Sequence, residues 1–202
     1  CYAQGRSNTP PQFFFWSAIS LIAACVADHV WLVRFAEAPD RRTFPNLYTL
    51  LVAPSAVGKG AAIKEAANIG RKTVADRLYF GRLTAEGLRD VLKTEPTTWL
   101  LNEELAFSVH QGPPAFDFVT VLVGLFDGAN LPPVRDRTRT RGEIKIDGAC
   151  INWLAGTTPD WLGKTFDMSG GEQLRDYLPV AEVARLIVEL ALRHPNAGTV
   201  NV

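Results

Sequence analysis

The chain has 202 residues, 47% of them hydrophobic, which is enough for one sizeable domain with a packed core. Its 21 basic side chains balance 21 acidic ones, so no global field draws it to nucleic acid or to a membrane, and any such contact must come from a local patch. Three scattered cysteines (Cys1, Cys25, Cys150) and three scattered histidines (His29, His110, His194) argue against a disulfide framework or a zinc site and fit a reducing cytoplasm.

Residues 1–11 are polar, end in Pro10-Pro11 and read as a linker. Residues 12 to about 37 read as one long helix, too apolar around its circumference for a surface helix and so expected in the core. Its most apolar run, residues 13–27, contains two serines and is too short for a membrane span. That run also lacks the basic flank and cleavage site of a secretory signal, so no membrane partner is expected. With no initiator Met, the chain reads as a piece of a longer polypeptide.

After a loop at 40–46 comes the most informative stretch, YTLLVAPSAVGKGAAIKEA, residues 48–66. It predicts a buried strand over Tyr48–Val52, a tight loop over 53–58 and a helix opening at Lys59. That is the layout of a phosphate-binding P-loop. A triphosphate needs converging backbone N–H groups, a helix N-terminus with partial positive charge, and a mobile ammonium for the β and γ oxygens. The candidate binding residues are Pro54, Ser55, Ala56, Val57, Gly58, Lys59, Gly60 and Ala61, with Lys59 as the ammonium. The pattern G-x-x-x-x-G-K-S/T is broken twice. Ala53 stands at the first glycine, tolerable only if its φ is negative, and Gly60 replaces the hydroxyl residue that ligates Mg²⁺. The metal would then be held by the nucleotide, by waters and by a distant carboxylate.

The P-loop helix should run to about 75, followed by a short strand at 77–80. Thr84 should N-cap a helix ending near Lys93, and Pro96 stops the chain. The apolar strand 97–101 runs straight into Asn102-Glu103-Glu104. A helix over 115–127, a charged segment closing in a strand at 143–146, a buried strand at 149–155 and a helix over about 180–194 complete the reading. Strands alternating with helices predict a mainly parallel sheet covered on both faces. The expected division is a linker (1–11) and a single domain (12–202), made of a helical lead-in (12–46), a core (47–165) and a C-terminal helical segment (166–202).

Hydrolysis would need carboxylates at the tip of a neighbouring strand, one for Mg²⁺ and one for the attacking water. Glu103 takes the metal role, through water, and Glu104 the general-base role, with Asn102 a lesser candidate; the competing reading is an acidic helix start favoured by the macrodipole. Thr157 and Thr158, where the third strand ends, offer a polar side chain between the two elements, or else an ordinary capped strand exit. Arg135, Arg137, Arg139, Arg141 and Lys145 recur with a period of two, placing the arginines on one face of an extended ribbon. Such a ribbon suits a nucleic-acid backbone, or one arginine could reach a neighbouring subunit's nucleotide; alternatively it is a solvated loop whose charges protect an edge.

Taken together, FPNLYTLLVAPSAVGKG after an apolar helix, LTAEGLRDVL, WLLNEELAF and INWLAGTTPDWL resemble the RecA-like ATPases of phage, plasmid and prophage replication proteins, over roughly residues 10–165. The resemblance implies a RecA-like α/β fold, ATP hydrolysis with Mg²⁺, ring-shaped homo-oligomers and work on DNA. It would match Lys59 to the phosphate-binding lysine, Glu103 and Glu104 to the acidic pair, and Thr157 or Thr158 to the polar sensor. It also implies an apolar strand carrying an arginine after Gly170-Gly171, where the chain is polar instead. Two rivals stand beside a DNA-coupled ATPase: a scaffold that binds nucleotide with little or no turnover, and a nucleotide kinase, for which Ala61 stands where threonine is expected.

Overall fold

Chain order and pairing put the strand carrying the 48–52 segment at one side of a four-stranded parallel sheet. The computed structural model describes residues 9–33, 42–108, 113–126, 134–138 and 142–161. Helix α1 (Pro11–Val26) leads, followed by the two-residue strands β1 (Leu32–Val33) and β2 (Arg42–Thr43), then β3 (Tyr48–Val52) and α2 (Lys59–Gly70). A 3-10 turn (Ala75–Arg77), β4 (Leu78–Phe80), α3 (Ala85–Thr94), β5 (Thr97–Asn102), α4 (Leu105–Ser108) and α5 (Pro113–Gly124) come next. Strands β6 (Val134–Thr138), β7 (Gly142–Ile146) and β8 (Cys150–Thr157) close the series.

The sheet order is β3-β8-β5-β4, all pairs parallel. Every residue of the central strand β8 is buried, as a strand covered on both faces must be. On one face lie α3 and α5, with Leu88, Leu92, Phe118 and Leu122 against Leu100, Ile151 and Trp153. On the other lie α1 and α2, with Ala62, Ile63 and Ala66 against Leu51, Trp99, Leu101 and Leu154. The expected α/β architecture, a parallel sheet flanked by helices, is what forms.

Several elements differ from expectation for identifiable reasons. The first helix stops at Val26 rather than near 37. Asp28 is drawn away to the far end of the sheet, where its carboxylate accepts from Arg77 at 2.9 Å and from the Thr97 hydroxyl at 3.2 Å. The Arg77 guanidinium holds the Asp28 carboxyl below its usual range against the opposing effect of partial burial. The chain then turns back as the small β1–β2 pair, with Arg42 4.5 Å above the Trp31 ring. Nor does α1 bury its aromatic side chains fully: Phe13, Phe14 and Trp16 pack half-buried against the core. Ser17, Ser20, Ala23 and Ala24 make the inward stripe, letting the helix approach α2 and the sheet closely, while Phe15 is 55% exposed. Ser20 accepts a hydrogen bond from the buried Trp99 indole at 3.0 Å. Helix α2 ends at Gly70, where a Cβ would overlap the Trp99 ring.

Thr84 caps α3 as expected, accepting from the Gly87 N–H at 3.1 Å. The β6–β7 segment forms a two-stranded antiparallel ribbon. The helix expected over 180–194 and the arginine-bearing strand expected after Gly170-Gly171 lie outside the described residues. No helix among the described residues is long and apolar enough to cross a membrane.

At the start of β8, Cys150 is buried and its thiol donates to Asn46 Oδ1 at 2.9 Å. Burial, with a smaller contribution from Asp28, pushes this thiol from 9.0 up to about 12. Thiolates, not thiols, alkylate, so peptide mapping after iodoacetamide treatment of the folded protein at pH 8.5 should mark the half-buried Cys25 and spare Cys150. The unfolded chain ionises this thiol first as pH rises, so the stability it contributes is present below pH 9 and is lost between about 9 and 12. Urea titrations across that window should show a smaller loss for Cys150→Ala than for the wild type.

Candidate functional site

The C-terminal edge of a parallel sheet is where ligand sites form, because loops from neighbouring strands converge there with helix N-termini. Here β3 delivers residues 53–58 to that edge, and the Ala53 N–H donates to Thr157 O at 3.2 Å, tying the loop to the tip of β8. Among the described residues Ala56 is the one non-glycine with positive φ, +64°, so Ala53 meets the condition set for replacing the first glycine. Ala56 in the left-handed region costs about 1 kcal/mol, a local strain of the sort found in ligand-holding turns.

Gly58 has φ +93° and forms the N-cap of α2, its carbonyl accepting from the Ala61 and Ala62 N–H groups. No side chain caps this end and no acidic residue lies in its own first turn; the negative charge beside it comes from another element, the Glu103 carboxylate next to position 60. Lys59 follows, only 6% exposed, its ammonium donating to the Ala53 and Pro54 carbonyls at 2.6 and 2.9 Å. A buried ammonium is costly unless paired. The loop carbonyls supply two partners, leaving an ammonium that anionic oxygens would attract strongly.

The acidic pair divides. Glu103 turns to α2: an ideal Cβ built on Gly60 would lie 2.9 Å from Glu103 Oε2, and the same oxygen accepts from Lys64 Nζ at 2.9 Å. A carboxylate distant in sequence thus lies immediately beside position 60. Glu104 is half-buried just before α4. Asn102 points away from this arrangement and is structural. Its Oδ1 accepts from the Trp153 indole at 2.7 Å and its amide donates to the Gly81 carbonyl, stitching β5 to β8 and to the exit of β4.

The two threonines also part. Thr157 is fully buried and its hydroxyl lacks a hydrogen-bond partner among the described residues. Thr158 accepts from the Trp161 N–H at 3.4 Å, the capped strand exit that was the alternative reading. A residue that sequence reasoning passed over, Thr9, is 6% exposed and sits on the loop, its hydroxyl donating to Gly58 O at 3.5 Å. The segment assigned as a linker, 1–11, thus includes a residue packed on the loop, and its last residue, Pro11, already opens α1; a threonine ahead of Pro-Pro carries no signal of such a distant contact.

The basic ribbon is not gathered here. Register places Arg135 opposite Lys145 and Arg137 opposite Glu143, so these four share one face, while Ile146 on the other face is buried in the core. Strand β7 feeds the N-terminal end of β8, roughly 23 Å along that strand from its tip at 3.3 Å per residue. Arg139 and Arg141 lie outside the described residues.

Compared with models of known protein families, with curated proteins and with solved structures, the chain has no significant match. The functional reading therefore stands on the geometry above.

Gly156 underpins that geometry. A Cβ there would overlap the Glu103 backbone carbonyl, which has little freedom to retreat. Gly156→Ala should cost about 1–3 kcal/mol by overpacking, read as a lowered urea midpoint at unchanged m-value.

Proposed function

We propose that the chain is a RecA-like P-loop domain that binds ATP with Mg²⁺ and hydrolyses it, coupling turnover to movement on or remodelling of DNA within a homo-oligomeric ring. The observation that carries this reading is Lys59: a buried ammonium held by loop carbonyls at the uncapped start of α2, with a carboxylate beside the next residue. Burial near carbonyls alone would suit a structural lysine. The helix start without a side-chain cap and the acid beside it are what a structural lysine does not need.

In this reading the backbone N–H groups of 54–60 surround the phosphates and Lys59 exchanges its carbonyl partners for β and γ oxygens. A bound Mg²⁺ would neutralise charge on those oxygens, and the residues present fit it: Mg²⁺ favours one or two carboxylates plus phosphates over an all-protein cage, and Glu103 is positioned to serve. Glu104, at the same strand tip, orients water for in-line attack. Thr157 contributes a polar hydroxyl with no competing partner among the described residues. The register face of Arg135, Arg137 and the exposed Lys145 would supply the contacts to nucleic-acid phosphates, although Glu143 shares that face and Lys145 pairs with Asp147 at 3.4 Å.

A second reading keeps nucleotide binding and drops turnover. It is favoured by the missing hydroxyl at Gly60 and by the Lys64 ion pair that already engages Glu103.

Steady-state ATP hydrolysis with and without single-stranded and duplex DNA separates the two. The proposal expects turnover that rises with DNA, with Lys59→Ala and Glu104→Gln each lowering kcat at least about 100-fold. Glu104→Gln should bind nucleotide as the wild type does, while Lys59→Ala should not. Tight wild-type binding with turnover no higher than the mutants leaves the scaffold.

A further inference from the structure

We infer that Glu103 replaces the missing hydroxyl at position 60 as a direct ligand of the divalent cation, with Lys64 as a resident counter-ion that the cation displaces. The inference rests on the nucleotide-binding reading and deepens it.

Position 60 follows the loop lysine, where a serine or threonine hydroxyl normally meets the metal. In this chain the position has no side chain, and the space beside it is taken by a carboxylate oxygen 2.9 Å from the ideal Cβ. That separation is shorter than ordinary van der Waals contact, so a side chain at 60 would push the flexible end of Glu103 aside. The carboxylate occupies the space that the missing side chain leaves open. The ligand oxygen has moved from the helix to the strand tip.

The carboxylate is held from below. Asn102 is anchored on both sides by Trp153 and the Gly81 carbonyl, and the Glu103 carbonyl rests on Gly156, where no Cβ intervenes. What remains free to move is the carboxylate end and its partner. Lys64 lies four residues beyond Gly60, one turn along the same face of α2, and its side chain is 60% exposed. An ion pair this open is weakly held. Exchanging a solvated monocation for a divalent ion bound by phosphates as well as by Glu103 is therefore easily accomplished.

The test measures metal and nucleotide binding, without turnover, on the full chain. A fluorescent non-hydrolysable ATP analogue is titrated in EDTA and in Mg²⁺, and Mn²⁺ binding is followed by electron paramagnetic resonance with the unlabelled analogue present. In the wild type Mg²⁺ should tighten analogue binding about tenfold, and by linkage the analogue should tighten metal binding by the same factor. Glu103→Gln should abolish that gain while leaving the affinity in EDTA within about twofold of wild type, a split that general unfolding would not give. Gly60→Ser should weaken the gain, because its side chain competes with the carboxylate for space. Lys64→Met should tighten Mn²⁺ binding several-fold by removing the competing cation.

An undiminished Mg²⁺ gain in Glu103→Gln, or a larger one in Gly60→Ser, overturns the inference while leaving nucleotide binding intact. Absence of any Lys59-dependent analogue binding, even in EDTA, overturns the nucleotide reading itself and the inference with it.

Discussion

Strand β8 is the constraint on which everything else depends. It is buried along its whole length and hydrogen-bonded on both sides, to β3 and to β5. By separating those two strands it sets their tips about 10 Å apart, twice the spacing between neighbouring strands. Side chains at adjacent strand tips would crowd one another; at this separation a loop and a carboxylate can face a common space. The register staggers the two tips by two residues along β8, with Val52 beside Thr157 and Asn102 beside Ala155. Near its other end, Asn152 holds the chain ahead of β3 through the Leu47 N–H at 2.8 Å.

The helical layer on the α1–α2 side follows from small residues. Ser17, Ser20, Ala23 and Ala24 on α1 and Ala62, Ala66 and Ala67 on α2 bury little volume each, so the two helices lie close to the sheet. The bulk needed to fill that layer comes from Trp99, Leu101 and Leu154 on the strands. Trp99 can be fully buried because its indole N–H has Ser20 as acceptor. The opposite layer has the reverse distribution, large residues on α3 and α5 meeting Trp153, whose indole is satisfied by Asn102.

The strands were legible because their signal is local. TTWLL and YTLLV are short apolar runs bounded by Pro, Gly and polar residues, and β3 begins and ends where it was expected. Thr84 was legible as a cap for the same reason. What stayed hidden is made by contacts across long stretches of sequence. Asp28 ends α1 by reaching Arg77 and Thr97, and Thr9 meets a loop 49 residues away. Gly60 read as a loss because the carboxylate beside it comes from another strand. Helix α1 was legible only in part: Phe13, Phe14 and Trp16 do pack half-buried against the core, but hydropathy gave no sign that the serines are the residues buried fully, because close approach favours smaller side chains. The basic ribbon was legible as an extended segment from its period of two.

The Thr9–Gly58 contact has a consequence for how the sequence can vary. Position 58 is closed to larger residues on two independent grounds: a backbone in the left-handed region, and a neighbour with which any Cβ would collide. A change that relaxed one restriction would leave the other in force, so no single substitution opens the site. Drift in this part of the molecule requires the loop and the chain ahead of α1 to change in concert, which makes the segment before the first helix part of the loop's inherited unit rather than its neighbour.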